Sequence, residues 1–213
     1  MENNKRRAVV VAGGDIALYD RARSFLRGDD YFIFCDSGLY HKKELKVEPD
    51  LIIGDFDSHN LVQNEAETIV LPEKKDDTDS ISGVKVALNR GFKEFLLLGM
   101  TGRRMDHALC NIYILDYIKS QGGRAMLADD WCEMEIVEKE RVIVSDSYAY
   151  FSLIAWKGKC EGVNILNAAY PLVDATISPQ YQYAISNEPL KGGSVVWVRE
   201  GSLLLIKDWN KEK

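Results

Sequence analysis

Pro49-Asp50-Leu51-Ile52-Ile53-Gly54-Asp55-Phe56-Asp57-Ser58 is a short apolar run that stops at a glycine and is followed by two carboxylates two residues apart. Leu51 to Ile53 is too short and too β-branched for a helix, and Pro49 and Gly54 punctuate it as they would a buried parallel strand. Asp55 and Asp57 then stand where the strand ends. The carboxyl ends of parallel strands are where such sheets bind ligands.

The pattern repeats on either side. Val9 to Ala12 leads into Gly13-Gly14-Asp15 and an amphipathic stretch from Ile16 to Leu26. Tyr31 to Cys35 leads into Asp36-Ser37-Gly38 and a short helical stretch from Leu39 to Leu45. Thr68 to Leu71 is a further apolar run, followed by a helix from near Thr78 to Gly91. Phe95 to Leu98 ends in Gly99-Met100-Thr101-Gly102-Arg103-Arg104, a helix follows up to Gly122-Gly123, and Ala125 to Leu127 forms the next strand. This alternation predicts an α/β domain over residues 1–130, a mostly parallel sheet with helices on both faces.

Beyond Asp129-Asp130 helical periodicity disappears. Short β-rich segments separated by Gly, Asn, Pro and Ser take over: Met134–Val137, Val142–Ser145, Tyr150–Ala155, Gly162–Ile165, Ala175–Ile177, Tyr183–Ile185, Ser194–Val198 and Leu203–Ile206. They predict a smaller all-β, sandwich-like domain over residues 131–213.

The chain has 213 residues, enough for one domain or two modest ones. It is 46% hydrophobic and 28% charged, as ordinary soluble proteins are. With 27 basic and 33 acidic residues its net charge is −6, so no overall field draws it to nucleic acid or an anionic membrane. No apolar run approaches the ~20 residues of a membrane span and no secretory leader is evident, which makes a cytoplasmic location the expectation. The four cysteines, Cys35, Cys110, Cys132 and Cys160, are scattered, without C-x-x-C spacing, and read as small buried hydrophobes. The three histidines, His41, His59 and His107, do not pair with them as zinc ligands would.

Acids accumulate at the strand ends: Asp15, Asp36, Asp55, Asp57, and then Asp76, Asp77 and Asp79 in Lys75-Asp76-Asp77-Thr78-Asp79. Clustered carboxylates repel one another unless a cation is held among them, and Mg²⁺, which takes a few carboxylate oxygens plus water and phosphate, suits the set. A plainer account makes Asp77 or Thr78 a helix N-cap with Asp79 in the first turn, and Asp15 and Asp36 turn residues. It serves Asp55 and Asp57 less well. Thr101-Gly102-Arg103-Arg104-Met105-Asp106-His107 brings a glycine, a helix N-terminus and arginines together, the parts of a polyanion site. Asp106 falls in the first helical turn, and Asn111 faces the same way as His107. A cation site beside a phosphate site is the recurring pattern of phosphoryl transfer, and no G-x-x-x-x-G-K-[ST] loop is present.

Taken together, Gly54-Asp55-Phe56-Asp57-Ser58, Lys75-Asp76-Asp77-Thr78-Asp79, Gly102-Arg103-Arg104-Met105-Asp106-His107 and, near the end, Ser186-Asn187-Glu188 resemble the thiamine pyrophosphokinase family over nearly the whole length. The segment from Tyr170 to Glu188 is similar to that family's β-rich thiamine-binding domain. Cys35-Asp36-Ser37-Gly38 departs from an Ala-Asp-Gly-Gly type of turn, and Pro189 stands where an aromatic is common. The resemblance implies an α/β domain carrying ATP and Mg²⁺, and a homodimer with active sites between subunits. It implies attack of the thiamine hydroxyl on the β-phosphorus of ATP, giving thiamine diphosphate and AMP. By the same resemblance Asp55, Asp57, Asp76 and Asp79 would be catalytic and hold Mg²⁺. Asp36, Thr78, Gly102, Arg103, Asp106, His107 and Asn111 would serve the nucleotide, and Ser186 and Asn187 would meet thiamine. Two other readings of the residues are a metal-dependent nucleotide-sugar glycosyltransferase, from the D-x-D spacing of Asp55 and Asp57, and a non-catalytic thiamine or nucleotide sensor.

Overall fold

The structure, a computed structural model, describes residues 7–55, 66–72, 76–102 and 104–209. It divides into two compact units, Met1–Asp130 and Trp131–Lys213.

The first unit runs β1 (Ala8–Val11), α1 (Tyr19–Ser24), β2 (Tyr31–Cys35), a 3-10 turn (Asp36–His41) continuing into α2 (Lys42–Leu45), β3 (Leu51–Gly54), β4 (Glu67–Val70), α3 (Asp79–Asn89), β5 (Glu94–Leu98), α4 (Met105–Ser120) and β6 (Arg124–Ala128). Its strands lie in the order β4-β3-β2-β1-β5-β6, every pairing parallel. β1 and β3 are buried along their whole length, which is why they read as unbroken apolar runs rather than alternating ones. On one face Val9, Val11, Phe32, Phe34, Leu96 and Leu98 pack with Ala22 of α1 and Leu45 of α2.

On the other face α3 lies against β1, β2 and β3. Its Gly83 permits this approach, because a Cβ there would fall 2.9 Å from the Cys35 sulfur and 3.3 Å from Ile33. A mid-helix glycine that costs about 1 kcal/mol in propensity is here a packing requirement. At the opposite end of the strands Arg7 and Asp30, each immediately preceding a strand, form a buried fork with Nε and Nη2 donating at 2.9 and 2.7 Å. It fixes the start of the β1–β2 pairing, whose register begins Ala8↔Tyr31.

The helix expected over Ile16 to Leu26 is shorter. The amides of Ala17 and Leu18 donate to the Asp130 carboxylate, both at 2.8 Å, which pins that stretch as a loop before α1. Helix α3 begins as its sequence suggests, with Thr78 as N-cap accepting from the Ile81 amide.

The second unit comprises β7 (Cys132–Val137), β8 (Val142–Val144), β9 (Tyr150–Ala155), β10 (Cys160–Leu166), β11 (Leu172–Ile177), β12 (Ser194–Trp197) and β13 (Leu203–Asp208). β7, β13 and β9 pair antiparallel, as do the four strands ordered β11-β10-β12-β8. Inward residues of both sets, among them Val137, Phe151, Leu153, Val163, Ile165, Val196 and Leu205, share one core, the arrangement of a sandwich. Tyr183–Ile185, expected as a strand, is not one. The Ala184 carbonyl accepts from Leu153, but Ser186 then turns to φ 55°, which ends any extended run. Cys35, Cys132 and Cys160 are buried and form no disulfide, whereas Cys110, on α4, is exposed.

Candidate functional site

A cavity of about 570 Å³ opens at the carboxyl ends of the parallel strands in the first unit. The chain leaves β1 for β2 on one side, while β5 flanks β1 on the other, so the strand order reverses at β1. A crevice forms at such a switch point because successive connections diverge to opposite faces.

Four strand ends contribute turns to the lining: Gly13, Gly14 and Asp15 after β1, Asp36 and Ser37 after β2, Asp55 after β3, and Met100, Thr101 and Gly102 after β5. The starts of two helices complete it, Thr78, Asp79 and Ser80 at α3, and Arg104, His107 and Asn111 at α4. The β1 and β5 turns are pressed together. The Gly14 amide donates to the Gly99 carbonyl at 2.7 Å, and a Cβ on Gly14 would stand 2.0 Å from the Thr101 carbonyl oxygen. Only glycine lets the two backbones approach so closely.

Asp36 occupies the left-handed region with φ 44°, a conformation Asp tolerates better than most residues and at some cost. Its Oδ1 is buried and accepts no hydrogen bond from the described residues. A buried carboxylate oxygen without a donor is costly unless something outside the chain satisfies it. The neighbouring Cys35 thiol is pushed up, first by burial and then by the charges of Asp79 and Asp36, which disfavours the thiolate a nucleophile would need. The closeness of β3 brings Asp55 to the same rim: a Cβ on Gly54 would be 3.2 Å from Asp36 Cα.

On the α4 side Arg104 forks onto Asp106, with Nη2 donating to Oδ2 at 2.6 Å and Nε to Oδ1 at 3.2 Å. The guanidinium holds the exposed Asp106 carboxyl down to about 2. Asn111, buried, donates Nδ2 to the Met100 carbonyl at 2.8 Å, so that amide group shapes the β5 turn from within the cavity wall. Thr101 donates its hydroxyl to Asp129 at 3.2 Å.

Of the residues singled out by sequence, Asp36, Asp55, Thr78, Asp79, Gly102, His107 and Asn111 meet at this cavity. Asp76 is exposed and outside its lining, and Asp77 is drawn to Lys85 at 2.6 Å. Asp57 and Arg103 lie outside the described residues, as do Phe56, Ser58 and Lys75. Among the described residues no three His, Cys, Asp or Glu side chains converge as a ready-made metal cluster.

Ser186 and Asn187 belong to the second unit. The Asn187 side chain is committed to backbone: Oδ1 accepts from Tyr170 and Glu188 at 3.0 and 2.9 Å, and Nδ2 donates to the Tyr170 carbonyl at 2.7 Å. Its main chain pairs with Phe151. Asn187 is therefore a clamp, while Ser186 stands exposed beside it.

Sequence reasoning passed over Gly13, Gly14 and Ser37 as lining residues, whereas Thr101 and Arg104 belong to the stretch it read as a polyanion site. The available signal was positional, since each sits in a turn directly after a predicted parallel strand.

Residues 22–127 match the family model described as thiamin pyrophosphokinase, catalytic domain. The chain is 24% identical over 211 residues to a thiamine pyrophosphokinase of Bacillus subtilis strain 168, covering 93% of this chain and 96% of that protein. The crystal structure of thiamine pyrophosphokinase from Bacillus subtilis superposes with a TM-score of 0.84 at 21% identity, covering 97% of this chain and all (100%) of the other. A thiamin pyrophosphokinase family protein from Enterococcus faecalis gives 0.79 at 25% identity, over 96% of this chain and 100% of its own.

Proposed function

The chain belongs to the thiamine pyrophosphokinase family, and from that premise we propose that it transfers the pyrophosphoryl group of ATP to the hydroxyl of thiamine, at the cavity of the first unit and with Mg²⁺. The observation that carries the siting is the pairing of acids with amide-rich turns. Asp36, Asp55 and Asp79 line the cavity together with the Gly13-Gly14 turn, Gly102 and the start of α4.

The donor set fits a hard divalent cation, since the buried Oδ1 of Asp36 has no donor among the described residues and carboxylates are the ligands Mg²⁺ prefers beside water and phosphate. Asp36, Asp55 and Asp79, with Asp57, would hold it, and when bound it would neutralise charge on the phosphates. The chain's own residues do the rest. Backbone amides of the glycine turns receive phosphate oxygens, and Arg104, released from Asp106, can fork onto them. One of the cavity's carboxylates accepts the thiamine hydroxyl proton as its oxygen bonds to the β-phosphorus. The bond from that phosphorus to the α,β-bridging oxygen breaks, and AMP leaves.

The proposal includes a homodimer working in the cytoplasm, with Ser186 meeting thiamine and Asn187 fixing the Ser186 backbone. No helix among the described residues is long and apolar enough to cross a membrane. The glycosyltransferase reading uses only Asp55 and Asp57, and leaves the α3 and α4 termini without a task.

Incubating the protein with thiamine, ATP and MgCl₂ tests the proposal. Thiamine diphosphate with AMP is the expected outcome. ADP with thiamine monophosphate, or no thiamine turnover, overturns it.

A further inference from the structure

Behind the cavity, and outside its lining, His41 closes the 3-10 turn that begins at Asp36. It is buried, and both ring nitrogens are engaged: Nε2 lies 2.9 Å from the Gly14 carbonyl oxygen, and Nδ1 lies 2.7 Å from the Tyr19 hydroxyl. The chemistry fixes the tautomer. A carbonyl can only accept, so Nε2 carries the proton and donates to Gly14. Burial disfavours the doubly protonated ring, so Nδ1 is the acceptor and Tyr19 donates its hydroxyl to it. The order is Tyr19 to His41 to Gly14, each group oriented by the one before.

Among the described residues the other backbone hydrogen bond of Gly14 is from its amide to the Gly99 carbonyl. The imidazole therefore ties the β1 turn to the β2 turn, as the Gly14–Gly99 bond ties it to the β5 turn. One rigid turn thus carries Asp36 into the cavity at its start and the latch on Gly14 at its end.

We infer that His41 is a positioning residue, which through its hydrogen bond to the Gly14 carbonyl holds the Gly13-Gly14-Asp15 turn in the shape that receives the phosphates of the nucleotide. The inference rests on the nucleotide reading above. The residue touches no substrate. Its effect falls on the nucleotide side, because the turn it latches faces the cavity whereas the ring does not. A histidine serving only to fill space would affect folding and both substrates alike.

The test compares the full-length wild type with His41→Leu, His41→Gln and Tyr19→Phe by two readouts. One is amide hydrogen exchange over residues 12–16 without nucleotide, and the other is KM for ATP and for thiamine separately. His41→Leu should speed exchange at the turn and raise KM for ATP by about tenfold, the scale of one lost buried hydrogen bond, with KM for thiamine changed by less than about twofold. His41→Gln, whose side-chain amide can still donate to Gly14, should restore most of both. Tyr19→Phe keeps the ring in place and should give an intermediate effect, which supplies the answer if His41→Leu does not fold. Unchanged exchange at the turn, equal shifts in the two KM values, or glutamine no better than leucine overturns the inference. Absence of wild-type turnover would instead remove the proposed reaction, while the exchange data still decide whether the latch exists.

Discussion

The Ser37 hydroxyl oxygen occupies the space a side chain on Gly13 would need, 1.9 Å from the position of its Cβ. The serine that departs from the family's turn and the glycine that faces it are thus one unit. Gly13→Ala should lower stability by about 1–3 kcal/mol through overpacking, and Ser37→Gly in the same chain should recover most of that. A double-mutant cycle by chemical denaturation measures the coupling. Additive losses would mean the turn relaxes elsewhere.

Asp55 lines the cavity and is not part of the core. Asp55→Asn should therefore cut turnover by about 100-fold or more, the scale of losing a charge that organises a transition state. The melting temperature should stay within about 2 °C. Asp57→Asn, at the other acid of the pair, should behave similarly. Steady-state kinetics beside thermal melts distinguishes this from a structural role, in which melting would fall and turnover per folded molecule would not.

Asn187 should show the opposite profile. Removing its amide leaves the Tyr170 backbone and the Glu188 amide without their partners. Asn187→Ala should thus cost about 3 kcal/mol in denaturant melts, while Ser186→Ala, at an exposed position, should cost less than about 1 kcal/mol.

Burial holds the His41 imidazole below its ordinary value of 6.5, opposed by the Gly14 carbonyl and the Asp15 charge. The unfolded chain takes up that proton at a higher pH than the folded one. The stability this group contributes is complete above 6.5 and declines as pH falls from there towards the depressed folded value. Comparing wild type with His41→Gln in denaturant melts at about pH 7.5 and 5.5 isolates the contribution, and the wild type should lose more on acidification.

Much of the first unit was legible because fully buried parallel strands are short, β-branched and bounded by glycine, as Val9–Val11 and Leu51–Ile53 are. Strand ends then located Asp36, Asp55 and Asp79 without knowledge of the pairing. Contacts between distant turns were not legible. Nothing local to His41 announces that its ring meets Gly14, and nothing local to Asp130 announces that it holds Ala17 and Leu18. Tyr183–Ile185 misled because its apolar and aromatic character suits a strand, whereas the turn at Ser186 is set by Asn187 clamping Tyr170. Asn187 itself carries polarity suited either to a ligand or to buried backbone, and only the fold shows which its side chain has taken.

The central place of β1 also governs how the molecule comes off the ribosome. Val11 pairs with Leu98, roughly 90 residues later, so at ~5–20 residues per second several seconds pass before the β5 partner emerges. Until then the emerging chain can pair β1 with β2, and β2 with β3, but cannot close the β1–β5 crevice, and β1 presents an open edge of unpaired amides and carbonyls to its surroundings. The site is thus among the last features of the first unit to exist during synthesis. Chaperone dependence and aggregation of truncated chains should change sharply once Leu98 has cleared the exit tunnel.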